Sequence, residues 1–256
     1  SRLRLKAASS PRPSKPTLNW LRGSIMTRRW RFGLLVPSSN TVMEVDFVRN
    51  IPSEVTVHTA RMYLEETTPE AEAEMLDQYA LPAARDVATV RPHVVVFGCT
   101  SAGALRGNAY DAYICGEIAK VVRCPVVSTI ASVREAIRRS GARQVGVITP
   151  YVAELNERIR ASLEEDGVKV VGIFGMGIRE NFAIAEVQPE DIVNFARRHL
   201  SDIGMDLLFV SCTNLRAFEA IPALEKAFSV PVVTSNQAVL KSALDVLATT
   251  VGLGWP

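Results

Sequence analysis

The sequence predicts an α/β protein made of two similar doubly wound half-domains. Each carries a parallel sheet, a pseudo-two-fold axis relates the two, and the active site lies in the cleft between them. Three observations lead there. Short β-branched runs alternate with helical patterns from Arg31 onward. The runs are apolar throughout rather than alternating, as in strands covered on both faces. The chain also repeats itself. GLLVPSSNTVMEVDF, VVVFGCTSAG and CPVVST in the first half answer to VGVITPYVAELNERI, LLFVSCTNLRA and VPVVTS in the second.

Taken in order, the strand-like runs are 32–36, 55–59, 93–98, 125–128, 144–149, 168–174, 206–211 and 231–234. The clearest helical patterns fall between them, at 69–90, 108–122, 130–140, 151–166, 189–203, 215–228 and 235–249. Thr68-Pro69-Glu70 and Gln188-Pro189-Glu190 place proline in a first helical turn with acids following, which suits the helix dipole. Ser140-Gly141 and Asp166-Gly167 end helices ahead of strands. The expected organisation is a basic, disordered leader over 1–30, a first half-domain over 31–130 completed by 235–250, and a second over 131–234.

Charge is unevenly placed. Residues 1–31 hold nine Lys/Arg and no acid, while the rest holds 20 Lys/Arg against 27 Asp/Glu. The body is therefore acidic, and a nucleic-acid surface is not expected of it. No apolar run is long enough to span a bilayer, so no membrane role is expected. Four cysteines without regular spacing or a CxxC pair argue for a reducing cytoplasm and against a zinc site. There is no GxGxxG after the first strand, no GxxxxGK[ST] and no G-x-S-x-G elbow. Nothing points to a pyridoxal lysine, and neither a cofactor nor a metal is expected.

The chemistry concentrates at strand ends, where open α/β sheets form their ligand crevice. Those ends are Pro37 to Asn40, Cys99 to Gly103, Thr149 to Tyr151 and Cys212 to Asn214. Cys99-Thr100 and Cys212-Thr213 occupy matching places in the repeat. A thiol there, beside a helix N-terminus, is expected to have its thiolate favoured by the dipole and by free N–H groups. One thiol can then act as base or nucleophile and the other as acid. A lone strand-end cysteine reads more simply as a small buried hydrophobe, but two equivalent ones do not. Cys115, mid-helix, and Cys124, before Pro125, read as structural. The Pro37-Ser38-Ser39-Asn40-Thr41 loop offers hydroxyls, an amide and N–H groups that suit a carboxylate or an ordinary N-cap. Tyr151 in the equivalent loop can hydrogen-bond the same ligand or pack on the surface. Asn181, on a long connection, suits a lid or a turn.

Taken together, VPSSNT at 36–41, the two strand-end cysteines, TPY at 149–151, Asn181 and the closing PVVTSNQA resemble the aspartate/glutamate racemase superfamily. Within it the chain is most similar to the maleate cis-trans isomerase and arylmalonate decarboxylase branch, over roughly residues 31–250. The resemblance implies Cys99 as nucleophile or first acid/base and Cys212 as second acid/base. It implies Asn40 on a substrate carboxylate, Tyr151 and Asn181 holding the substrate, and Ser39, Thr100 and Thr213 as further donors. It also implies a homo-oligomer, dimer or larger. The superfamily's amino-acid racemases carry an acidic Asp-Ser pair after the first strand. The neutral Ser38-Ser39-Asn40 here favours a small carboxylic acid without an α-amino group. Arylmalonate decarboxylases keep only the second cysteine, so the presence of both favours two-thiol chemistry.

The leading expectation is a cofactor-independent isomerase of a small dicarboxylate, of the maleate isomerase kind. The alternatives are a racemase, or an arylmalonate-type decarboxylase, including the member associated with ectoine utilisation. A third, of another class, is a non-catalytic small-acid binding protein.

Overall fold

A computed structural model describes residues 29–252. The expected leader lies almost wholly outside them. The described chain forms two four-stranded parallel sheets of identical connectivity. The first is built from β1 (Trp30–Pro37), β2 (Val55–Met62), β3 (Val94–Phe97) and β4 (Val126–Ser128), in the order β2-β1-β3-β4. The second is built from β5 (Gln144–Thr149), β6 (Lys169–Gly175), β7 (Leu207–Val210) and β8 (Val232–Thr234), in the order β6-β5-β7-β8. All eight predicted strands are present, and the sheets match the predicted fold class.

The helices, in chain order, are α1 (Met43–Asn50), α2 (Pro69–Glu74), α3 (Ala80–Ala88), α4 (Thr100–Leu105), α5 (Asn108–Val122) and α6 (Thr129–Ser140). They continue with α7 (Ala153–Glu164), α8 (Asn181–Ala185), α9 (Pro189–Leu200), α10 (Ala217–Phe228) and α11 (Ser235–Val251). The single helix expected over 69–90 is α2 and α3 joined through a π-helical turn at Met75–Tyr79. Thr68 caps its start by accepting the Ala71 N–H at 3.3 Å, and Pro69 fills the first turn, where its missing N–H costs nothing. Gly141 ends α6 in the left-handed region, as the Ser-Gly signal indicated.

Both faces of each sheet are covered. Along β1, Phe32, Leu34 and Val36 enter one apolar cluster with Met43, Phe47 and Leu247, while Leu35 points into the other with Phe97 and Ile130. The period-2 alternation of strand side chains explains why an unbroken apolar run is needed. The last helix, α11, packs back on α1, α6 and β3, so the end of the chain covers the first sheet. Among the described residues no helix is long and apolar enough to cross a membrane.

The repeat extends to single hydrogen bonds. The Gly98 N–H donates to the Leu35 carbonyl at 2.8 Å, and the Ser211 N–H donates to the Ile148 carbonyl at 2.8 Å. Each bond holds the residue just before a strand-end cysteine. Gly98 is glycine for lack of room, since a Cβ there would stand 2.7 Å from Met43 Sδ and 2.9 Å from the Leu35 carbonyl oxygen. Gly98→Ala is therefore expected to destabilise the protein by about 1–3 kcal/mol, the usual range for overpacking. Urea unfolding checks this, and an unchanged midpoint would contradict it.

Candidate active site

Cys99 is the N-cap residue of α4 and Cys212 follows β7 by two positions, so equivalent strand ends deliver both sulfurs. Both are buried, at 4% and 6% exposure. A charge on Cys212 would raise the pKa of Cys99, and a charge on either would raise that of Tyr151, which places the three groups within one electrostatic neighbourhood. Cys212 has φ of +107°, a left-handed backbone that a side chain normally avoids and that clusters at functional sites.

The expected ease of ionisation is overturned. Burial, the largest cause, pushes Cys99 well above an ordinary thiol, and the nearby Glu72 carboxyl adds to it. The Ala102 N–H and the Ser101 hydroxyl offset this only in part. Loss of solvation outweighs the end of a six-residue helix. Burial also raises Cys212, but only to about 11, because the Asn214 N–H, the Tyr151 hydroxyl and the Leu215 N–H all hydrogen-bond its sulfur. The first of these is 3.3 Å long. Cys124 is also raised to about 11 by burial, and it and Cys115 are half-buried and packed against the apolar core.

The other expected residues gather around these thiols and across the two sheets. Asn40 holds the turn that leads into α1 without being its N-cap residue, its Oδ1 accepting the N–H groups of Val42 and Met43 at 3.0 Å. Its Nδ2 donates to Thr213 Oγ1 at 3.0 Å, and that hydroxyl donates to the Gly98 carbonyl at 3.0 Å. Tyr151 is buried rather than packed on the surface, with Ser211 donating to its hydroxyl at 3.5 Å. Thr100 donates to Ser235 Oγ at 2.9 Å, and Ser235 Oγ accepts the Cys212 N–H at 3.0 Å. One serine at the start of α11 thus ties the two strand ends together.

Asn181 opens the short helix α8 instead of lying in an irregular lid. Its Nδ2 donates to Ser39 Oγ at 2.8 Å and its Oδ1 accepts from Thr67 Oγ1 at 3.2 Å. Its N–H donates to the Glu65 carbonyl at 2.8 Å, and its carbonyl accepts from Asn214 Nδ2 at 2.6 Å. A bridge between Glu66 and Glu180 and a 2.6 Å bond from the Thr67 N–H to the Arg179 carbonyl complete a seam. The connections after β2 and β6, equivalent in the repeat, thus pair with each other, and Asn214, whose N–H bonds the Cys212 sulfur, joins the seam through Asn181.

Sequence reasoning missed Glu72 and gave no separate role to Ser101, Asn214 or Ser235, which it named only within longer stretches. Glu72 sits among alternating acids that read as a solvated face, yet it lies four residues before Leu76 on the buried stripe that continues through Ala80, Ala83 and Val87. That register was the available signal. Ser235 was visible as the residue after PVVT, matching the PVVST of the first half.

The arrangement as a whole is two weakly acidic thiols, a buried phenol and a ring of neutral donors, all buried except the half-buried Ser39. Such a site can add sulfur to an electron-poor carbon and move protons on carbon beside a stabilised carboxylate.

Comparison with known proteins agrees with that chemistry. The sequence is 25% identical over 222 residues to a maleate isomerase of Alcaligenes faecalis, covering 81% of this chain and 87% of that one. It is 27% identical over 207 residues to the arylmalonate decarboxylase of Bordetella bronchiseptica, covering 80% and 85%. A mutant maleate cis-trans isomerase of Nocardia farcinica, solved with a covalently bound succinylcysteine intermediate, shares the fold with a TM-score of 0.77 at 23% identity, covering 88% of this chain and 93% of that one. The sequence model of the arylmalonate decarboxylase family matches residues 32–251, and the chain belongs to that family.

Proposed function

We propose that this protein is a cofactor-independent isomerase of a small dicarboxylate, working as a maleate cis-trans isomerase. The observation that carries the reading is the delivery of two buried thiols from equivalent strand ends into one closed, donor-lined site. A single thiol serves proton transfer alone, whereas a nucleophile and a separate acid serve reversible addition to a double bond. The Cys99 thiolate adds to one alkene carbon, and Cys212 gives its proton to the neighbouring carbon. The former double bond is now single and rotates. Cys212 takes a proton back, the carbon–sulfur bond breaks, and the trans acid leaves with the Cys99 thiolate and the Cys212 thiol restored.

Negative charge develops on the carboxylate beside the attacked carbon, where preorganised donors act most strongly. Asn40, Tyr151, Asn181, Ser39, Thr100 and Thr213 supply these donors. Several of them bond to one another across the cleft, so a dicarboxylate takes over hydrogen bonds that already exist between the halves. The substrate class is supported by the maleate isomerase relatives and by the neutral Ser38-Ser39-Asn40 loop. We also infer a homo-oligomer, supported by the exposed apolar rings of Tyr63 and Phe182, which flank the seam residues Glu66 and Glu180 in sequence.

A second reading rests on the asymmetry of the thiols. Cys212 alone carries the left-handed backbone and three sulfur-directed donors, which suits a lone proton donor in a decarboxylase. Proton NMR in heavy water separates these reactions. Fumarate formed from maleate, together with a mass adduct on Cys99 in Cys212→Ala, is the expected result. Loss of carbon dioxide from an arylmalonate with no change in maleate would replace the isomerase by the decarboxylase.

A further inference from the structure

Glu72 has no part in the reaction as described, yet it is the most unusual side chain near it. It projects from α2, which packs on α4, and it is 0% exposed. No ion pair of Glu72 occurs among the described residues; its polar contact is the Ser101 hydroxyl, which donates to Oε1 in a very short hydrogen bond. Its Oε2 is buried without a partner. The same Ser101 oxygen stands 3.9 Å from Cys99 Sγ, so one hydroxyl touches both the nucleophile and the carboxyl. The ionisable groups whose charges couple to Glu72 are Cys99, Cys212 and Tyr151, all acids. On the neighbouring α5, Asp111 couples to Arg134 and bonds Ser128 instead.

A thiol this deeply buried ionises only if its proton has somewhere to go. Cys212 cannot receive it, because the reaction needs Cys212 protonated, and Tyr151 is itself an acid held protonated by burial. We propose that Glu72 is the proton-holding partner of Cys99, with Ser101 relaying one proton between them. The Cys99 S–H bond breaks as its proton passes to Ser101 Oγ, while the hydroxyl's own proton passes to Glu72 Oε1. The products are a thiolate, an unchanged serine and a neutral carboxylic acid. The buried charge moves without increasing, and the thiolate forms beside a neutral group rather than a carboxylate.

Burial supports this by holding Glu72 near about 8, far closer to a thiol than an ordinary carboxyl stands. Glu72 is the stronger acid of the two, so the first proton lost comes from it and leaves the base that the relay needs. Glu72 is a positioning residue in this scheme, acting on substrate only through Cys99.

The inference rests on Cys99 being the nucleophile, and its test reads the thiol without substrate. The rate of Cys99 alkylation by iodoacetamide is followed against pH in the wild type, with Cys99→Ala as the blank. The wild-type rate is expected to rise through about pH 8, where Glu72 ionises. The same measurement is made on Glu72→Gln and on Ser101→Ala. Each substitution is expected to slow alkylation by about tenfold or more, because the thiol then loses the base that takes its proton as the sulfur attacks. Were Glu72 only a negative neighbour, Glu72→Gln would speed alkylation, and that result, or an unchanged rate, overturns the proposal. If Glu72→Gln does not fold, Ser101→Ala decides alone, with an unchanged or faster rate against the relay. A wild type that leaves maleate unchanged defeats the isomerase reading and leaves this measurement interpretable.

Discussion

Cys212→Ala is expected to lower maleate turnover by about 10²–10⁴-fold, the range for removal of a positioned acid/base group. The sulfur lies at the meeting point of the Asn214 N–H and the Tyr151 hydroxyl, and alanine leaves these donors aimed at nothing. The substitution exchanges one small buried side chain for another, so the fold survives it and the loss reports chemistry. Cys99→Ala is expected to abolish isomerisation at least as completely, because without the sulfur no single bond forms and nothing rotates. The two variants differ in what they leave behind. With Cys99 present, Cys212→Ala accumulates the adduct, whereas Cys99→Ala forms none. Full activity in Cys99→Ala would remove addition chemistry from the protein and leave proton transfer by Cys212 alone. Steady-state assays and intact-protein mass spectrometry decide among these outcomes.

The second large effect is on stability. Glu72 stands near about 8 in the folded protein against 4.5 for an ordinary glutamate, so the folded state holds its proton more tightly than the unfolded chain does. The stabilisation that comes with this proton is complete below about pH 4.5 and is lost as pH rises through about 8. At about 1.4 kcal/mol for each pH unit, the full loss amounts to about 4–5 kcal/mol, and it is an upper figure for a site that can relax. Asp46 and Asp111, each raised to about 6 by burial, act in the same direction between about 4 and about 6. The protein is therefore expected to be most stable in mild acid and to weaken steadily toward alkaline pH. Urea midpoints measured from pH 5 to pH 9 should fall, and Glu72→Gln should flatten the upper part of the curve. A flat wild-type profile would mean that Glu72 reaches water or a cation in solution.

The fold was readable because parallel sheets covered on both faces leave a plain trace. Runs such as VVVF and LLFV can hardly be anything but interior strands, and the strand-end cysteines were visible because the repeat placed them in register. What escaped was whatever depended on two remote segments meeting. Asn40 and Thr213 are 173 residues apart, and no local pattern reports their bond. Glu72 was hidden by its neighbours Glu70 and Glu74, which make the segment look solvated although only the middle acid faces inward. The reactivity of the thiols was misjudged for a related reason. A helix terminus can be inferred from sequence, but the depth of burial that overrides it is a property of the closed cleft.

Asn181 spends all four of its polar groups at once, three on the first half and one on the second. A carboxylate only accepts hydrogen bonds, so it can take the amide hydrogen now given to Ser39 while Thr67 keeps its bond to the amide oxygen. On the proposed function, capture of the substrate and release of the Ser39 bond are therefore two descriptions of one exchange of hydrogen bonds. Measured affinity then contains a hidden discount, since a cleft that is open only a fraction of the time binds more weakly by that fraction. Loosening the latch would tighten apparent binding while admitting the water that the chemistry excludes, so the seam fixes how far this enzyme can trade affinity against a dry reaction chamber.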